Sequence, residues 1–130
     1  MDINCQILVA ENIEFDPIGK QHTIFKVLNR MSLPTFPTVA ITNVYFKYLF
    51  NEELALNSYV CSVKVLDPLD EIVYEAMLPE LKNFRSKEML PGIDGMVEIR
   101  FPVTISGNYK YVICANNEEI CKYPLYIDKQ

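Results

Sequence analysis

No tryptophan occurs in this chain, and it has a single histidine and only 4 glycines among 130 residues. Each shortage removes a class of activity. Phosphate-cradling loops need glycines where backbone N–H groups wrap an anion, and 4 scattered glycines make no such loop. Nucleophilic catalysis lacks its signatures, since no G-x-S-x-G occurs and His22 has no sequence-local partner. The 4 cysteines, Cys5, Cys61, Cys114 and Cys121, form no C-x-x-C pair, and a zinc site would need a third and fourth ligand at suitable spacing. Asp16, Asp67, Asp70 and Asp94 fall in turn-like segments without D-x-D spacing, where aspartate serves the turn's own hydrogen bonds better than calcium. The expectation is a protein with no catalytic residue, no metal and no cofactor.

Positive charge is also in short supply. Lys and Arg number 12 against 17 Asp and Glu, for a net charge of −5. The densest basic stretch, Lys82, Arg85 and Lys87, is flanked by Glu80 and Glu88, which reads as a solvated face and not as a surface for phosphates. Long apolar runs are missing too, and nothing approaches the ~18 to 20 residues that span a bilayer. The start, Met1-Asp2-Ile3-Asn4, carries the wrong charge for a signal peptide, and Ile7 to Ala10 is too short an apolar core for one. A cytoplasmic location with reduced thiols is expected, and binding to nucleic acid is not.

What the chain does have is alternation. Val97, Ile99, Phe101, Val103 and Ile105 are apolar at every second position, with Glu98, Arg100 and Thr104 between them. Ser106-Gly107-Asn108 supplies turn chemistry, Tyr109, Tyr111, Ile113 and Ala115 resume the period, and Asn116-Asn117 marks a second turn before Ile120 to Ile127. Side chains alternate across a strand, so one face is packed and the other largely wet. Earlier in the chain, Cys5–Phe15 reads as a strand, Asp16 to Lys20 as a turn, and Gln21–Met31 as a second arm. Pro34 and Pro37 make Ser32–Thr38 an extended connector, and Val39–Phe50 is a third strand with Val44, Phe46, Tyr48 and Phe50 on one face. Asn51–Asn57 is a loop that could close into one helical turn. Tyr59–Val65 and Glu71–Met77 are strands joined by the Asp67–Asp70 turn. Leu78–Gly95 alone has helix credentials, one or two turns after Pro79 at most. The fold expected is a single all-β domain over residues 1–130, an antiparallel β-sandwich of about seven to nine strands with at most one short helix. A hydrophobic fraction of 50% fills such a core without crosslinks.

Three features stand out against that pattern. Glu11 interrupts an odd-numbered apolar series running from Ile3 to Phe15, so it is either a partly buried carboxylate marking a site or a β-bulge that swings the charge outward. Tyr45 lies between Asn43 and Lys47 on the polar side of the third strand, the candidate surface for a protein partner or for a second copy in a homodimer. Cys114 and Cys121 flank the Asn116-Asn117 turn, where a four-residue loop would set them opposite each other and a two-residue loop would make them diagonal neighbours. The 8 tyrosines allow another function, a carbohydrate- or lipid-binding module using aromatics at the loop end.

Leu8-Val9-Ala10-Glu11-Asn12-Ile13, Phe36-Pro37, the Phe101-Pro102 to Gly107-Asn108-Tyr109 stretch, Asn117-Glu118-Glu119-Ile120 and Pro124-Leu125 together resemble a family of small bacterial all-β domains of unknown function. The resemblance implies a β-sandwich of immunoglobulin-like or C2-like type and brings no catalytic residues with it. It leaves a non-catalytic intracellular binding or scaffolding domain, acting through a protein partner or self-association, as the expected function.

Overall fold

A computed structural model describes residues 3–50 and 59–130. Nine strands are found there: β1 (Ile3–Asp16), β2 (Gln21–Val27), β3 (Arg30–Leu33), β4 (Thr38–Phe50), β5 (Cys61–Leu66), β6 (Ile72–Met77), β7 (Gly92–Val103), β8 (Gly107–Ala115) and β9 (Glu118–Lys129). They form a four-stranded sheet in the order β2-β1-β4-β7 and a five-stranded sheet in the order β3-β9-β8-β5-β6. The expected β-sandwich is what the chain makes.

Alternation places the core between the two sheets. From the four-stranded sheet come Ile7, Val9, Val44, Tyr48, Ile99 and Phe101, and from the five-stranded sheet Val63, Val65, Tyr109, Tyr111, Ile113, Leu125 and Ile127. Full burial of a Val, Leu or Ile side chain contributes roughly 1.5–3 kcal/mol, so this interleaved layer dominates stability. One polar pair is sealed inside it, the hydroxyls of Thr42 and Tyr111 at 2.7 Å. Gly95 is what allows Phe46 to lie against β7, because a Cβ there would stand 2.5 Å from the ring.

Four details depart from the sequence reading. The stretch Gln21–Met31 is not one arm: β2 ends at Val27 in one sheet, and β3 begins at Arg30 in the other. Leu28 N–H donates to the Val9 carbonyl at 2.7 Å just before the crossing, and Leu28 itself packs against the core. Second, β3 runs parallel to β9, with Arg30 opposite Tyr126, so the sandwich is antiparallel except along that edge. Third, Leu78 to Pro91 holds no helix. Leu81 bridges Tyr59 through two backbone hydrogen bonds, which anchors Leu78 and Leu81 in the core as an extended cover and leaves no room for a helical turn. Fourth, β7 starts at Gly92, before the alternating run begins at Val97. The possible turn within Asn51–Asn57 lies outside the described residues.

Candidate interaction surface

The outward face of the four-stranded sheet carries a connected set of polar and aromatic contacts centred on Tyr45. Tyr45 sits on β4 opposite Leu8 of β1 and Met96 of β7. Its ring meets His22 edge-on at 5.0 Å, and His22 in turn lies 4.8 Å from Phe15. Phe15 is paired with His22 seven residues beyond Leu8 along β1, a span of ~23 Å for a straight strand. The hairpin of β1 and β2 therefore bends and twists back toward the sheet after Ala10, where β1 stops pairing with β4. Lys26, in a left-handed conformation (φ 56°), marks the bend. Ile13 is buried by it, outside the main core.

On the other side of Tyr45 stands Asp94. The Tyr45 hydroxyl donates to Asp94 at 3.5 Å, Lys47 approaches the same carboxylate at 3.4 Å, and Arg85 grips both its oxygens at 3.1–3.2 Å. Burial first, and then the negative charge of Asp94, raise the Tyr45 phenol above its ordinary value. Arg85 comes from the 78–91 segment, so this ion-pair cluster ties that segment to the sheet. One Arg85 nitrogen, Nη2, is shared between both carboxylate oxygens while Nη1 donates to the Leu90 carbonyl, and partial burial of the pair limits screening by solvent. The three residues read from the sequence as a partner surface are thus together, half-buried and committed to internal contacts: Asn43 donates to the Glu11 carbonyl at 3.1 Å, Tyr45 bridges His22 and Asp94, and Lys47 pairs with Asp94.

Glu11 is not a buried carboxylate. It is exposed, with Lys26 at 3.8 Å, and the β1–β2 register passes it without a shift, from Ala10↔Val27 to Asn12↔Phe25. The charge escapes because the hairpin leaves the sheet at this point, with the backbone irregularity on the partner strand at Lys26. A register slip was not needed.

What lies open is the edge beside this cluster. β7 is the end strand of its sheet. Phe50 N–H donates to the Pro91 carbonyl at 2.9 Å, so odd-numbered residues direct their backbone groups to β4 and even-numbered ones direct theirs outward. Asn83 accepts the outward N–H of Gly92 at 3.1 Å. From Met96 to Pro102 no strand among the described residues covers the edge, and Val39, Ile41 and Met96 are half-exposed apolar side chains on the adjoining face. A cavity of about 320 Å³, lined by Phe46, Met77, Leu78, Leu81, Gly95 and Val97 among others, opens between this edge and β6.

The cysteines are arranged in a way that spacing along the chain did not reveal. Asn116 and Asn117, both at positive φ, make a two-residue turn. Cys114 then stands opposite Glu119 and Cys121 opposite Ile113, with an irregularity between, so the two are not partners. Instead Cys5, Cys61 and Cys121, from three strands in two sheets, surround the Tyr48 hydroxyl, which is buried without a well-formed hydrogen bond. All four cysteines are free thiols. Burial pushes the Cys61 thiol up to about 11 and that of Cys5 higher still, with Cys121 adding to the latter. Such thiols carry almost no thiolate at neutral pH and are poor nucleophiles. The one clue in the sequence is that Cys5 and Cys61 share the inward parity of their strands.

No group of three or more His, Cys, Asp or Glu side chains positioned to hold a metal ion is found among the described residues. Among the described residues no helix is long and apolar enough to cross a membrane. No protein-family model matches the chain, and no curated protein does. Among solved structures, an immunoglobulin-like protein from Pseudomonas aeruginosa is similar over 98% of this chain and 97% of its own, at 6% identity and a TM-score of 0.43.

Proposed function

We propose that this domain is a non-catalytic, intracellular binding or scaffolding module of the cytoplasm, and that it engages a protein through the β7 edge and the outward sheet face next to it. The observation that carries this reading is the edge of β7 along Met96–Pro102, which no strand among the described residues pairs with and which is flanked by the exposed Val39 and Ile41. Free backbone N–H and C=O groups in a row are a template for another strand, and neighbouring apolar side chains supply contact area. The contacts of Tyr45, Lys47 and Arg85 with Asp94 tie this face to the 78–91 segment, and side chains already held by internal contacts lose less entropy on docking. The resemblance of its sequence to bacterial domains of unknown role fits the reading without narrowing it.

The alternative, a sugar- or lipid-binding module, needs exposed aromatic rings. Phe15, Phe25, Phe84 and Tyr126 are the exposed rings such a module would have to use, because Tyr48, Tyr109 and Tyr111 are buried in the core and the Tyr123 hydroxyl donates to the Leu28 carbonyl. Site-specific photocrosslinking tests the protein-binding reading. A crosslinking side chain at Met96 of the intact protein, in its native cells, is expected to capture protein adducts that the same group at Phe25 does not. Equal capture at both positions, or none at Met96, would overturn it.

A further inference from the structure

We propose that the occupant of the β7 edge is a second copy of this chain, paired antiparallel about a two-fold axis through Ile99; this rests on the binding reading above. Backbone parity limits the choice. Outward-facing groups belong to even-numbered residues, so the pairs that exchange hydrogen bonds must be even with even. With the axis at Ile99, Glu98 meets Arg100 of the second copy, and Arg100 meets its Glu98. Both side chains are exposed, and within one chain they already form a 2.8 Å pair on the outward face. Moving the axis by one residue sets Glu98 against Glu98 or Arg100 against Arg100. Charge therefore selects one register out of these three, as like charges directly opposite are destabilising.

The rest of the stretch agrees with that register. Met96 faces Pro102 of the other copy, placing its exposed side chain beside a proline whose neighbour across β4 is the exposed Val39. Pro102 has no N–H to donate, so its rung with Met96, at the end of the strand, keeps one hydrogen bond of two, from the Met96 N–H to the Pro102 carbonyl. About six main-chain hydrogen bonds close the pair. Pro102 and the two charges also resemble the devices that keep edge strands from pairing. What distinguishes this edge is that its charges are of opposite sign and equally spaced about one residue, which makes them attractive to a copy of themselves.

Charge reversal tests this on the full chain. The mass by light scattering should rise from 15.0 kDa toward twice that value as concentration increases. Glu98→Arg and Arg100→Glu, each alone, should remain at 15.0 kDa, because each brings like charges together. An equimolar mixture of the two should recover the doubled mass, and so should the chain carrying both changes. Circular dichroism checks that each variant folds, and Glu98→Gln serves if a reversal does not. A wild-type mass that stays at 15.0 kDa, or single reversals that dimerise like the wild type, would overturn the pairing. If Met96 then still captures a different protein, the binding reading stands and only self-pairing falls; if it captures nothing, both fall.

Discussion

The two long hairpins of this molecule share an alternating pattern and differ in what covers it. In the β8–β9 hairpin Tyr109, Tyr111, Ile113, Leu125 and Ile127 all point into the core, and even the outward Val112 and Cys114 are buried. In the β1–β2 hairpin beyond Ala10, Ile13 alone is buried, and Phe15, Phe25 and Val27 are each more than two-fifths exposed. One hairpin is a structural wall with a sheet on its inner side. The other is an arm that bends back to touch Tyr45 through His22. Alternation thus specifies a strand, but the opposing layer decides whether that strand contributes stability.

That contrast can be broken most severely in the wall. Ile113→Ala should cost about 2–5 kcal/mol, the range for large-to-small changes in a closed core, whereas Phe25→Ala should cost under about 1 kcal/mol. Urea denaturation of both variants measures the difference, and equal losses would place the arm in the cooperative core. Next in size is Tyr111→Phe, which leaves the buried Thr42 hydroxyl without its partner at an expected cost of about 1–3 kcal/mol. Adding Thr42→Val should return part of that loss, since removing both ends leaves no orphan. A smaller effect belongs to the turns. Asn117→Ala forces a left-handed backbone on a residue with a Cβ and no local hydrogen bond, costing about 1 kcal/mol. The corresponding relief in the arm, Lys20→Gly, should leave the global midpoint almost unmoved if the arm frays independently.

The smallest effect concerns acid. Asp128 titrates below its ordinary 3.8 because Ser32 and then Arg30 hydrogen-bond to the charged carboxylate, which ties β9 to β3. Its folded pKa is depressed, so its contribution is complete above 3.8 and disappears as pH falls through the folded value. Asp128→Asn should therefore lower the neutral plateau slightly and converge with the wild type as pH falls below 3.8, which flattens the acid limb of the stability–pH curve. A slope unchanged on that limb would show that the pair is solvated in solution.

How much of this was legible follows from the same contrast. Strands whose inward series is unbroken, such as Val44, Phe46, Tyr48 and Phe50, declare both their type and their buried face. The sheet crossing at Leu28-Asn29 does not, because Ile24 to Leu28 reads as one apolar arm and the change of sheet depends on the Val9 carbonyl. Neither does the role of Asp94. Its partners Arg85 and Tyr45 lie 9 and 49 residues away, and only the fold brings them together. Asn43, Tyr45 and Lys47 were legible as a polar face, but their internal commitments were not, which moves the available surface one strand over to β7. The thiol cluster was illegible for a related reason, since pairing across two sheets has no signature in spacing along the chain.

Hydrogen exchange of the individual β7 amides, followed across a range of protein concentrations, addresses the edge directly. At low concentration the N–H groups of Met96, Glu98 and Arg100 should exchange rapidly while those of Val97, Ile99 and Phe101, bonded to β4, stay protected. Rising concentration should protect the even-numbered set and leave the exposed arm of β2 unchanged. Even-numbered amides that remain fast at every concentration, or protection that appears in β2 instead, would contradict the account.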